Sequence, residues 1–94
     1  MTNKDKKIVS DYMGWKKAIL SDGYHNMLNN RPVLFDLNDA GLLVDELVKR
    51  DGWLSFITFA DNEHFDKEIS AEFSAWLFNA ENFFKVFVEW RKAL

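Results

Sequence analysis

The sequence predicts a small α+β fold, a single domain over residues 1–94, and three observations predict it. Two stretches, about 39–50 and 80–93, carry helical periodicity. A short N-terminal helix precedes them, and Trp53 to Phe73 reads as a β-hairpin. With nine Phe, four Trp and two Tyr, the composition supports a dense core. A chain of this size needs one, because it hides only about two-thirds of its unfolded surface.

The N-terminal helix is expected from Lys4 to Met13, where Ile8, Val9, Tyr12 and Met13 make one apolar edge and Gly14 offers a stop. Residues 18–35 hold two turn signals, Ser21-Asp22-Gly23 and Asn29-Asn30-Arg31-Pro32. Between them Tyr24 to Leu28 fits either an edge strand or a helical turn. Pro32 biases Arg31 toward an extended shape, so Val33-Leu34-Phe35 is expected to enter the fold extended.

The next helix has Asp36 or Asn38 as its cap and Asp39 in its first turn. Ala40, Leu43, Val44, Leu47 and Val48 give a stripe for lying on a core, and Gly52 is the expected stop. The hairpin follows, with strands at about 53–60 and 64–73. Trp53 to Ala60 is rich in aromatic and β-branched residues, Asp61-Asn62-Glu63 is a polar turn, and His64 to Phe73 alternates. Asn79 then caps a last helix that is apolar around most of its circumference, a pattern that a subunit interface would help to cover.

No cysteine is present, which excludes a disulfide scaffold and thiolate-bound metals. Charged residues open the chain with no apolar run behind them, and no stretch is long enough to span a bilayer, so a cytoplasmic location is expected. Residues 1–50 carry eight Lys and Arg against seven Asp and Glu, and the rest carry four against eight. That balance disfavours nucleic acid as a partner, whose footprint would have to be Lys4, Lys6, Lys7, Lys16 and Lys17.

Three groups of residues invite a chemical reading. Asp61, Glu63, His64 and Asp66 have metal-ligand chemistry, yet strand alternation splits them and they read best as a solvated hairpin tip. His25 and His64 become general bases only if the fold supplies carboxylates. No Gly-rich phosphate loop occurs, and no cofactor or metal is called for. Of the four Trp, Trp53 and Trp90 suit a core, whereas Trp76, Leu77 and Phe78 are too bulky to be buried together easily.

At Asp11-Tyr12-Met13-Gly14-Trp15-Lys16 the chain resembles small phage- or prophage-associated bacterial proteins of the α/β/α (ABA) sandwich kind. These open with a short helix ending in a Met-Gly-Trp element, then continue with a loop-rich insert, a helix, a two-strand unit and a terminal helix. Most have no known function, and the resemblance carries over no catalytic residue. It implies an accessory protein of mobile-element origin.

The expected function is therefore non-enzymatic interaction, with a protein partner or a second copy in a homodimer, through Trp76, Leu77, Phe78 and Trp90. The alternative is a small-ligand or metal-dependent enzyme that uses His25, His64 and nearby carboxylates.

Overall fold

The computed structural model describes residues 1–18, 23–28, 31–64 and 75–94. Its fold is α+β, with helices α1 (Asn3–Met13), α2 (Leu37–Lys49), α3 (Trp53–His64) and α4 (Ala80–Ala93). Between α1 and α2 lies an antiparallel sheet of three short strands in the order β1 (Lys16–Lys17), β2 (Tyr24–Asn26), β3 (Arg31–Pro32). Lys16 pairs with His25 and Lys17 with Tyr24, while His25 pairs with Pro32 and Asn26 with Arg31. Residues 75–77 are helical and lead into α4.

Local signals set the ends of each helix. Thr2 caps α1 by accepting from the Asp5 amide at 3.1 Å, and Gly14 ends it in the left-handed region at φ 74°. Asp36 caps α2 through Oδ1, which accepts from the Asp39 amide at 3.0 Å. At the other end Asp51 donates to the Val48 carbonyl and Gly52 to that of Leu47, a Schellman closure. Its left-handed residue is Asp51, at φ 56°, and not the expected Gly52. Asn79 caps α4 through the Asn82 amide, and the Asn82 side chain donates in turn to the Trp76 carbonyl.

The expected hairpin is corrected. Residues 53–60 form the first two turns of α3, and His64 is its last residue, while 65–73 lie outside the described residues. The apolar positions 53, 56, 57 and 60 satisfy a helical repeat as well as a strand-like run. Burial decides between them: Phe56, Ile57, Ala60 and Asp61 face inward, and Leu54 and Thr58 face water. The sheet instead lies in the segment between α1 and α2, and Tyr24 to Asn26, expected as an edge strand or a helical turn, is its central strand.

Helix α4 is the axis of the core, packed by α1, α2 and α3. Phe83, Phe84, Val86, Phe87, Val88 and Trp90 are all buried. The chain itself thus covers the apolar girth that suggested a subunit interface. Phe56 is fully buried among the rings of Phe83, Phe87 and Trp90, with centroids 5.3–6.2 Å away. These are distances at which aromatic pairs attract. The Trp90 indole N–H also donates to Ser55 Oγ at 3.2 Å, tying α4 to α3.

Phe35 joins the sheet to the helices. Its ring meets Trp15, Tyr24 and Phe84 edge-on, with centroids 5.5–6.5 Å apart, and the Lys6 ammonium sits 5.6 Å from its centre. To reach that position it takes φ 54°, a region costly for a residue with a bulky side chain. The buried Asp39 carboxylate holds it there: one oxygen accepts from both the Leu34 and the Phe35 amides at 2.8 Å.

Candidate interaction surface

The residues singled out by sequence differ in exposure. Leu77 and Trp90 are buried and Trp76 is half-buried. Phe78 remains 75% exposed. The tip of α4's capping turn, and not the helix itself, is therefore what presents an apolar group to solvent.

The two histidines lie on separate elements. His25 is on β2, opposite Lys16 and Pro32. His64 closes α3 with its ring against Trp76, tilted by 33° with centroids 4.9 Å apart. Its Nε2 lies 3.3 Å from Glu89 Oε2, close enough for an ion pair, but it is buried without a well-aligned hydrogen bond. Asp61 is buried on the same helix, Glu63 is exposed, and Asp66 lies outside the described residues. Among the described residues, no three His, Asp or Glu side chains converge as a metal site would require.

Of the lysines considered for nucleic acid, Lys7 pairs with Asp11 at 2.8 Å on one exposed face. That hydrogen bond and the nearby carboxylate charge raise the Lys7 ammonium above its ordinary range. Lys6 is drawn to Phe35, while Lys16 and Lys17 form the outer strand of the sheet and are exposed.

The apolar surface that sequence reasoning missed runs along one side of the molecule. Three open depressions adjoin there. The first lies between the β2–β3 turn and α2, with Met27, Leu28 and Leu42 in its lining. It shares Asn26 and Leu42 with the second, which adds Leu34. The second shares Asp36 and Asn38 with the third, where Leu37 and Phe78 meet at the N-terminal ends of α2 and α4. Their volumes are about 380, 330 and 500 Å³.

Met27, Leu28, Leu34, Leu37, Leu42 and Phe78 are all exposed, Leu28 almost completely at 99%. Single exposed apolar residues are ordinary, but a connected band of them is a feature of partner surfaces. Its lining is mainly acidic at the rim: Asp36, Asp45, Glu46 and Glu81 outnumber Arg31 and Lys49. Of the band, only Phe78 was singled out by sequence, and the trace of the rest is negative. Met27 and Leu28 sit in a turn, and Leu37 and Leu42 fall off the buried stripe of α2.

No protein-family model matches the chain, and neither a curated protein nor a solved structure matches it. Among the described residues no helix is long and apolar enough to cross a membrane.

Proposed function

We propose that this chain is a non-enzymatic interaction protein that holds a segment of a partner protein along the band from Met27 to Phe78. The observation that carries the reading is the continuity of the band, in which each depression shares lining residues with the next. Apolar side chains would supply most of the affinity, and the acidic rim selects the partner's flanks. The segment that fits is an amphipathic one with Leu or Phe on the face it buries and Lys or Arg on either side. The Met13-Gly14-Trp15 element supports an origin among phage-associated accessory proteins.

The test uses two synthetic helical peptides with the same Leu and Phe positions, one flanked by Lys and one by Glu, followed by fluorescence anisotropy. The Lys-flanked peptide is expected to saturate, and the Glu-flanked one to bind at least about tenfold more weakly. Leu28→Asp and Phe78→Asp, both on exposed positions, should each weaken binding while the far-UV circular dichroism is unchanged. Equal binding of the two peptides, or indifference to both substitutions, overturns the proposal. A concentration-dependent dimer that both substitutions dissolve also overturns it, because the band then belongs to a second copy.

A further inference from the structure

A second concave surface lies where α1 meets the C-terminal ends of α2 and α4, adjoining the apolar band through the Glu46–Arg50 pair, and its chemistry is cationic. Its lining is Ile8, Asp11, Tyr12, Arg50, Arg91 and Lys92, around a depression of about 370 Å³. Tyr12 is buried and packs edge-on to Phe87, so its position is fixed by the core. Two guanidinium groups converge on its ring: the Arg50 carbon is 4.2 Å and the Arg91 carbon 5.1 Å from the ring centre. The two groups are therefore no more than about 9 Å apart.

Each arginine stands at a helix C-terminus, where the dipole favours one cation. That accounts for either residue alone and not for their meeting on one ring. Arg50 is held in place by two bonds, from Nε to Glu46 at 2.8 Å and from Nη2 to the Tyr12 carbonyl at 2.8 Å. A guanidinium has five N–H donors, so three of its donors remain. Arg91 makes cation–π contacts with Tyr12 and Trp90, and no carboxylate pairs with it among the described residues. Lys92 is joined to Asp5 at 3.4 Å, and Asp11 to Lys7. The cations on this face thus exceed the carboxylates, on a protein whose net charge is −3.

We infer that this depression binds the phosphate group of a small organic phosphate, with Arg50 and Arg91 as its two clamps. Both arginines line the same depression, where a tetrahedral oxyanion would take charge-assisted bonds of about 2.8 Å from each guanidinium. Arginine suits the task because its planar fork matches two phosphate oxygens at once. Ile8 gives the depression an apolar side against which the body of an organic phosphate can rest. The ligand is accordingly a phosphate monoester with an apolar or aromatic body.

Phenyl phosphate is the probe, with inorganic phosphate and phenol as its two halves, all at one ionic strength set with sodium chloride. Side-chain Nε–Hε resonances of Arg50 and Arg91 report the binding by NMR titration. Phenyl phosphate is expected to shift both resonances saturably and to bind tighter than either half. Arg91 is exposed, so Arg91→Gln should keep the folded spectrum and weaken binding about tenfold or more, with Arg91→Lys restoring only part of it. Three results would each overturn the site: no saturable shift above chloride, phenol binding as tightly as phenyl phosphate, or full affinity in Arg91→Gln.

Discussion

Asp39 is the residue on which the junction between sheet and helices depends, and replacing it gives a graded test. One of its carboxylate oxygens accepts from the Leu34 and Phe35 amides at 2.8 Å each, and its own amide donates to the Asp36 cap. Hydrogen bonds to a charged group contribute about 1.5–3 kcal/mol each. Two of them set an upper bound of about 6 kcal/mol for Asp39→Ala. The bound is not reached, because Phe35 stores strain at φ 54°, and strain of this kind is worth about 1–3 kcal/mol. Once released, the loop relaxes and recovers part of it.

The expected loss for Asp39→Ala is then about 2–4 kcal/mol, out of the 5–15 kcal/mol typical of a domain. Asp39→Asn keeps an acceptor in the same place and loses only the charge, so it should cost about half as much. Urea unfolding followed by circular dichroism measures both, with the slope of the transition as a check that the unfolded state is unchanged. Amide exchange at Leu34 and Phe35 should rise in step. A loss below about 0.5 kcal/mol for Asp39→Ala, or equal losses for Ala and Asn, would refute the reasoning.

The two glycines that follow helices should behave differently. Gly14→Ala meets no atom within 4 Å of the new Cβ but must hold φ 74°, so it should cost about 1–2 kcal/mol in urea melts. Gly52→Ala should be neutral or stabilising by up to about 1 kcal/mol, since Asp51 holds the left-handed position and the new Cβ stands at ordinary contact, 3.4 Å, from Leu47 and Trp90. Glu46 borders the apolar band and pairs with Arg50 of the cationic depression. Glu46→Gln should therefore act with opposite signs, strengthening phenyl phosphate binding and weakening the Lys-flanked peptide, each about two- to fivefold by titration.

How much of the fold was legible depended on whether a local signal had a rival. Helices α2 and α4 were readable because capping residue, charge placement and apolar stripe agreed, and α4 was found at Ala80–Ala93 as expected. In α3 the signals conflicted. Trp53 to Ala60 has the residue types of a strand, and only the inward turn of Phe56, Ile57 and Ala60 onto α4 makes it a helix. The β2 strand failed for the opposite reason: three residues carry no period. Its place is set by pairing, including the Val33 amide bonded to the Tyr24 carbonyl at 2.8 Å.

The candidate surfaces were less legible still, because apart from Phe78 they are assembled from residues that carry no signal until the chain is folded. Phe35 shows why. As the third residue after Pro32 it reads as extended, and nothing nearby in sequence announces a left-handed turn. That turn is set by Asp39, four residues on, whose sequence reading was a first-turn charge for the helix dipole. The same carboxylate sends Phe35 inward to Trp15, Tyr24 and Phe84 and leaves Leu34 outside on the apolar band. One buried hydrogen-bond acceptor thus sorts two adjacent apolar residues, one to the core and one to the partner surface. Hydropathy cannot separate them, since both count as apolar. Only the backbone's hydrogen bonds can.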